Sequence, residues 1–508
     1  MTFEKTISFV NKKRKCSVNS YQNIFANYAS RLWSIGSVYL FVPIYIRILG
    51  VESYGLISYY SLLLSIILIA DAGLSATFTR ETASQTEDQQ IQNLLTSIEK
   101  VLFIILFLVG MIVFICAPMI AENWKDSTEI LSVELITKSL QLMPLALIPQ
   151  VAISLYFGGL MGMEHQVKAN VLMILFSLVR SGIVIVPIYF YPEPHIFFIW
   201  QIITSWVFMI IMRSTLKQKI VRNTSVAKVL SWNELKPVLS YALGIFLVSV
   251  IAVINTSLDK LVVSFMRSLE EFAYYSIAGT LAQIPLILTT PIAATVLPRF
   301  IKLIKQNKRI KLRFLYEKNS YMIASIGSTS TFILYFFNKE IINIWMPRQT
   351  IPTYVFPVIK MLAIGSLFLT LQLMPFYLSL ANGNTKTNIK LGLFMLIFMA
   401  PLTYFLTYFF GLIGAAIPWM ILNFTAFLYL GYVLNKKYNN GIIFHWFINI
   451  NLIPVILSLS LFLIAYYINN IMKFEPIETM FVAGIFGLIT ISISYWIMGL
   501  IKSYDHKY

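Results

Sequence analysis

Long apolar runs, each bounded by a short polar or basic segment, follow one another from residue 24 to residue 500. The hydrocarbon core of a bilayer is about 30 Å thick, so a helix needs roughly 20 apolar residues to cross it. Runs of this size predict fourteen transmembrane helices: 24–49, 54–78, 98–121, 139–162, 169–190, 196–212, 238–265, 272–297, 320–345, 355–381, 391–410, 412–434, 447–469 and 477–500. The pattern therefore predicts an all-α polytopic membrane protein.

Composition agrees with a membrane protein. Of the 508 residues, 58% are hydrophobic and 12% are charged, whereas soluble domains carry about 25% charged residues. The two cysteines, Cys16 and Cys116, give no disulfide framework. The basic N-terminal tail precedes an apolar run too long for a signal-peptide core, so we expect that run to be the first permanent span.

The net charge of +17 is distributed unevenly across the predicted membrane. With a cytoplasmic N-terminus, 28 of the 39 lysines and arginines fall at the inner side and seven at the outer side, and the other four lie within spans. Basic residues collect in cytoplasmic loops, so both termini are expected to be cytoplasmic. The basic excess then belongs to loops at anionic membrane lipids, and no nucleic-acid partner is predicted.

An internal repeat relates the first six spans to the next six at an offset of about 218 to 221 residues. The matching positions are Glu52 with Glu270, Ser58 with Ser276, Arg80 with Arg299, Trp124 with Trp345, Tyr156 with Tyr377 and Gly162 with Gly383. A repeat of six spans predicts two lobes related by a pseudo-two-fold axis along the membrane normal. The expected divisions are a basic tail (1–23), an N-lobe (24–212), a basic linker (213–237), a C-lobe (238–434) and a C-terminal addition of two helices with a short tail (435–508).

We single out six ionisable side chains within the predicted spans, where a charge is costly and marks a candidate site: Arg31, Asp71, Arg180, Asp259, Lys260 and Lys360. Lys260 and Lys360 lie near span ends, so they either snorkel to the interface or bind substrate. Arg31 shares a polar stripe with Asn27 and Ser34, which favours a cavity. We therefore take Arg180, Arg31, Lys260 and Lys360 as candidate substrate-binding residues.

Arg180 is the deepest of these residues, about 16 Å from the inner end of its span. Asn170, Ser177 and Ser181 are predicted to share its side of the helix, so this face either lines a cavity or holds an arginine that is paired with Asp71 or Asp259. Asp71 is too short to snorkel, and Asp259 and Lys260 point about 100° apart on a helix. The two acids are candidates for proton or cation coupling or for ion pairing.

Three short motifs of the first half are similar to a known family. The run from Ile48 to Leu56, the segment Asp71-Ala72-Gly73-Leu74 and the segment Thr79-Arg80-Glu81 resemble the N-terminal signature of the polysaccharide flippases. These are Wzx-type O-antigen transporters of the multidrug, oligosaccharidyl-lipid and polysaccharide (MOP) exporter superfamily. In the second half, Leu258-Asp259-Lys260 and the segment 272–278 resemble the same family's segment between spans seven and eight. Ala273 stands where glycine is commoner in that family. The resemblance implies two lobes around a central cavity and an undecaprenyl-diphosphate-linked oligosaccharide carried from the inner to the outer leaflet.

Three function classes follow from these features. A flippase fits best, because four basic and two acidic residues within the spans give a net positive interior suited to a diphosphate, and arginine binds phosphate through two hydrogen bonds. The alternatives are a multidrug exporter of organic cations and a polysaccharide polymerase or glycosyltransferase. An enzyme is not expected, since no large extramembrane domain is predicted and the four histidines have no metal-ligand spacing. No cofactor is predicted. The expected partners are the lipid-linked substrate, membrane lipids, H⁺ or Na⁺ as a coupling ion, and polysaccharide polymerase machinery.

The predicted topology is testable with reporter fusions. Fusions after Lys228, Gln306 and Tyr508 should report the cytoplasm and a fusion at Ser127 should report the outside, because the basic residues are asymmetric. The check is paired alkaline phosphatase and fluorescent-protein activity at each site. An external signal at Gln306 would contradict the assignment from the seventh span onward.

Overall fold

The structure is a computed structural model, and it describes residues 26, 29–30, 32–34, 36–84, 88–124, 131–220, 246, 249–250, 253, 255–347, 349–383, 385–438 and 443–505. All regular secondary structure in these residues is helical, so the predicted all-α class is confirmed. The chain divides into two compact units, Met1–Val253 and Ile254–Tyr508.

Six long helices are described in the first unit. They are α1 (Leu32–Leu49), α2 (Val51–Ser84), α3 (Asp88–Asn123), α4 (Val133–Gly162), α5 (Gln166–Phe190) and α6 (Pro194–Ile220). Helix α4 packs against α2, α3 and α6 and is largely buried. Helix α3 presents exposed side chains such as Phe107, Ile112 and Met119, the arrangement expected of a lipid-facing helix.

The second unit holds ten helical segments among the described residues. They are α7 (255–266), α8 (Leu269–Ala282), α9 (Ile284–Lys305), α10 (Arg309–Phe336), α11 (Asn338–Trp345), α12 (Val355–Ala381), α13 (385–410), α14 (412–438), α15 (Ile443–Met472) and α16 (Pro476–Asp505). Helix α10 lies inside this unit and packs against α9, α12, α15 and α16. Trp446 of α15 is fully buried and stacks on Tyr316 of α10, so the two C-terminal helices belong to the core of this unit.

The number of spans is only partly settled by the helices. Among the described residues eleven helices are long and apolar enough to cross a membrane, or twelve if α10 and α11, which meet at an 80° bend, form one span. The continuous segment from residue 387 to residue 438 counts once in that total although it is 52 residues long. Thirteen of the 28 residues of the predicted seventh span lie outside the described residues. Fourteen spans therefore remain a prediction.

Gly411 separates α13 from α14, at the residue where the sequence divides the eleventh and twelfth predicted spans. Its φ of 63° and ψ of −144° interrupt the helical backbone, and glycine adopts a positive φ without steric cost. The predicted inner loop between Arg299 and Lys318 is largely helical, because α9 continues to Lys305 and α10 begins at Arg309.

A buried ion pair joins α3 to α6. Arg213 donates from Nε and Nη2 to the two carboxylate oxygens of Glu99, at 2.7 Å each. Glu99 is buried, whereas Arg213 is partly exposed. The basic linker predicted from the sequence begins at Arg213, but no local pattern indicates that Arg213 pairs with Glu99.

We expect the two halves of this pair to differ in their effect on stability. Arg213→Gln leaves a buried carboxylate unpaired and should destabilise the protein by about 3 kcal/mol, whereas Glu99→Gln leaves an arginine that still reaches water and should cost less. The double variant should recover stability. The measurement is the thermal aggregation midpoint of the detergent-solubilised protein, with the exposed neighbour Lys100→Gln as control. Equal destabilisation by both single variants would contradict this account.

Candidate functional site

Arg180 lies on an irregular turn of α5. Residues Leu178–Ile183 form a π-helix between two α-helical segments, and such insertions are frequent at functional sites. The extra residue changes the direction of the side chains that follow it. The predicted stripe of Asn170, Ser177 and Ser181 was based on a regular helix, and Asn170 is in fact buried and donates to the Gln166 carbonyl at 2.8 Å.

Side chains from neighbouring helices satisfy the backbone of the π-helix. Trp200 Nε1 donates to the Val179 carbonyl at 3.0 Å, and Gln201 Nε2 donates to the Arg180 carbonyl at 3.1 Å. The Tyr45 hydroxyl donates to the Ser181 carbonyl. Within a bilayer an unpaired carbonyl costs several kcal/mol, so these bonds stabilise the irregular turn and with it the position of Arg180.

The guanidinium of Arg180 contacts an amide side chain. Its Nη1 donates to Gln150 Oε1 of α4 at 2.9 Å, and its Cζ lies 5.3 Å from the ring centroid of Phe176. Gln150 Nε2 donates in turn to the hydroxyls of Tyr60 and Ser205, the latter at 3.0 Å. Gln150 is therefore fixed on three sides and orients the arginine.

No acid pairs with Arg180 among the described residues. A guanidinium has five N–H donors, and Gln150 accepts from one of its nitrogens. The side chain is only half-buried, so the remaining donors are accessible to an anionic ligand. Within the first unit, the alternative of an ion pair between Arg180 and Asp71 is not found among the described residues.

Proline explains how α4 presents Gln150. Pro149 has no N–H, so the Leu145 carbonyl one turn earlier loses its helical partner. The indole Nε1 of Trp206 donates to that carbonyl at 3.1 Å. This bond ties α4 to α6 beside Ser205, which also bonds Gln150.

Asp71 lies between α2 and α4 and is 3% exposed. Ser75 Oγ lies 2.6 Å and 2.7 Å from its two carboxylate oxygens, and Ser154 Oγ of α4 also donates to it. Ser154 and Gln150 are one helical turn apart on α4. Asp71 and Arg180 therefore bond to consecutive turns of the same helix, although they do not touch each other.

The second unit holds the other described candidates. Asp259 is buried and its Oδ2 accepts a hydrogen bond of 2.7 Å from the Tyr275 hydroxyl of α8. The Lys260 side chain lies over Gly279, where an added Cβ would be 3.8 Å from Nζ. Lys360 Nζ is 5.1 Å from the ring centroid of Tyr335, a cation–π contact. Arg31 lies outside the described residues.

The two units use the same amide contact. Gln372 of α12 donates to Asn423 Oδ1 of α14 at 3.1 Å, and these residues follow Gln150 and Ser205 by 222 and 218 positions. These offsets are close to that of the predicted repeat, which stays a prediction. Sequence reasoning had overlooked Gln150, although a glutamine directly after a proline in an apolar run is a detectable signal.

Solved structures with the same fold are membrane transporters. The structure titled lipid II flippase MurJ, inward closed conformation, has a TM-score of 0.71 and 16% identity, and the match covers 94% of this chain and 99% of that chain. An inward-facing multidrug resistance MATE family transporter of the MOP superfamily has a TM-score of 0.60 and 16% identity, with 80% and 96% covered. A MATE in complex with MaL6 has a TM-score of 0.54 and 16% identity, with 83% and 97% covered. The fold is thus that of MOP superfamily transporters.

The family is given by the sequence itself. Residues 20–304, more than half of the chain, match the model of the family described as polysaccharide biosynthesis protein, and the chain belongs to this family. No curated protein matches the chain. The resemblance to polysaccharide flippases is confirmed at the level of family and fold.

The Gln150 contact gives a direct test of this site. Gln150→Glu should place a carboxylate against Arg180 and neutralise it, while Tyr60 and Ser205 donate to the new oxygens, so the fold is preserved. We expect transport to fall at least about tenfold at unchanged membrane abundance. The measurement is complementation of a deletion strain, with membrane abundance from immunoblots and Gln150→Asn as a neutral control. Full activity of Gln150→Glu would exclude Arg180 from the site.

Proposed function

We propose that this protein is a flippase that moves an undecaprenyl-diphosphate-linked oligosaccharide from the inner to the outer leaflet of a bacterial inner membrane by alternating access. The polysaccharide biosynthesis family supports a surface-polysaccharide substrate. The fold shared with a lipid II flippase supports a lipid-linked one. The cargo is an O-antigen or another surface-polysaccharide repeat unit, handed to polymerase machinery outside.

The observation that carries this proposal is Arg180. Its guanidinium lies deep in the predicted span, is oriented by Gln150 and has no acidic partner among the described residues. A phosphate accepts two parallel hydrogen bonds from such a group. Arg180 is therefore our diphosphate contact, and Arg31, Lys260 and Lys360 remain proposed substrate-binding residues.

The test compares two substitutions at Arg180 in a strain that lacks the chromosomal gene. Arg180→Ala should nearly abolish surface polysaccharide at normal membrane abundance, and Arg180→Lys should retain part of the activity, because a lysine attracts phosphate without the two-bond geometry. Surface polysaccharide and the lipid-linked intermediate of the inner leaflet are the readouts. Arg309→Ala, at an exposed arginine of α10, is the matched control.

Two results would contradict this role. One is wild-type activity of Arg180→Ala. The other is recovery of activity when Asp71→Asn or Asp259→Asn is added to Arg180→Ala, because such rescue means that the arginine only neutralised an acid.

Export of organic cations is the second candidate, favoured by the MATE structures that share the fold and by the buried acids Asp71 and Asp259. Ethidium efflux from cells that express the protein distinguishes the two. Efflux that survives Arg180→Ala and is lost in Asp71→Asn or Asp259→Asn would favour the exporter.

A further inference from the structure

The contact between α2 and α4 in the first unit is lined by hydroxyl groups and small residues. Asp71, Ser75 and Thr79 follow one another at four-residue spacing on α2, and Ser154 and Gly158 do so on α4. A Cβ built on Gly158 would contact Thr79 Oγ1 and lie 3.2 Å from the Ser75 carbonyl oxygen. This close approach brings the Ser154 hydroxyl to the Asp71 carboxylate, which Ser75 reaches from one turn later on α2.

The hydrogen bonds around Asp71 allow two protonation states without an unpaired group. Ser154 Oγ has two acceptors in reach, Asp71 Oδ2 and the Val151 carbonyl at 2.7 Å. With Asp71 ionised, Ser154 donates to the carboxylate. With Asp71 protonated, the carboxylic acid O–H donates to Ser154 Oγ, and Ser154 donates to Val151 instead, while Ser75 still donates to the other carboxyl oxygen. One proton is bound and each group keeps a partner.

Other charged groups lie away from this carboxylate. The charged groups that α3 and α6 contribute nearby are Glu99 and Arg213, which form an ion pair. This pair lies beside Tyr156 of α4. Position 156 is about 200° around α4 from position 154. On α2 itself, Arg80 and Glu81 are more than two turns away. No Lys, Arg or His forms an ion pair with Asp71 among the described residues.

Arg180 bonds Gln150, which lies one turn before Ser154 on α4. Gln150 and Ser154 are separated by about 6 Å along α4. We infer that Asp71, Ser75 and Ser154 form a proton-binding site, and that a proton bound there strengthens binding of an anionic substrate at Arg180. The second part rests on the proposed function, because it needs Arg180 to contact a diphosphate.

Electrostatics determines whether protonation of Asp71 strengthens or weakens anion binding. An ionised Asp71 lowers the positive potential at Arg180 and weakens anion binding, and protonation removes that effect. If the bound anion is taken to lie about 10 Å from the Asp71 carboxylate, an effective dielectric constant of about 20 gives a change of roughly tenfold in affinity. Linkage makes the effect reciprocal, so bound anion raises the proton affinity of the site by the same factor.

The experiment uses the full-length protein in lipid nanodiscs and undecaprenyl diphosphate as the probe. Calorimetric titrations over a pH series, in two buffers with different ionisation enthalpies, give the affinity and the protons taken up on binding. Asp71→Asn keeps an acceptor and a donor in a neutral side chain. At high pH it should bind the probe about tenfold more tightly than wild type and take up fewer protons.

The diphosphate probe itself titrates in the same way with wild type and with Asp71→Asn. The difference in proton uptake between these two proteins therefore reports on Asp71 alone. Glu134→Gln removes an exposed carboxylate from the start of α4 and should behave as wild type. Ser154→Ala, which removes one donor from the ionised carboxylate, should shift the proton uptake to higher pH. If Asp71→Asn does not accumulate in the membrane, Ser154→Ala tests the proton site instead, and an unchanged pH dependence of proton uptake would contradict it.

The possible failures are distinguishable. If the probe binds and depends on Arg180, but wild type and Asp71→Asn take up equal numbers of protons, the inference fails and the proposed function stands. If affinity follows Na⁺ concentration and not pH, the proton assignment is overturned in favour of a cation site. If wild type does not bind the probe, or Arg180→Ala binds it equally well, the proposed function itself fails.

Discussion

The rest of this structure depends on one constraint, that polar groups inside a bilayer must find partners within the protein. Irregular backbone is therefore found where side chains can satisfy it. Tyr45 and Gln201 cap carbonyls of the π-helix in α5, and Trp206 caps the carbonyl released by Pro149. These three bonds converge on the part of the first unit that holds Arg180.

The same constraint separates buried charges that stabilise the fold from those that are available for function. Glu99 has a full partner in Arg213, with two hydrogen bonds between them. Arg180 has a neutral partner and accessible donors, and Asp71 has hydroxyl partners only. A charged side chain without a counter-ion can still gain free energy by binding one. Our proposals therefore rest on these two residues.

The two units share a scaffold and differ in their ionisable residues. Each contains a glutamine that bonds a polar residue on a later helix, Gln150 with Ser205 and Gln372 with Asn423. The arginine attached to Gln150 has no counterpart on Gln372. Asp259, in turn, bonds a tyrosine of the second unit. Each unit therefore has one such glutamine contact, while the ionisable residues described above differ between the two units.

The sequence alone determined the helical class, the membrane environment, the family and the break at Gly411, because these depend on local composition, span length and the conformational freedom of glycine. It also singled out Arg180 and Asp71, since a charge in an apolar run is visible without coordinates. Only the tertiary structure decided their partners. Gln150 meets Arg180, 30 positions later, and Ser154 meets Asp71, 83 positions earlier, because α4 packs against both α5 and α2. The π-helix that orients Arg180 also could not be predicted from a helical periodicity of 3.6 residues, because side chains from other helices stabilise it.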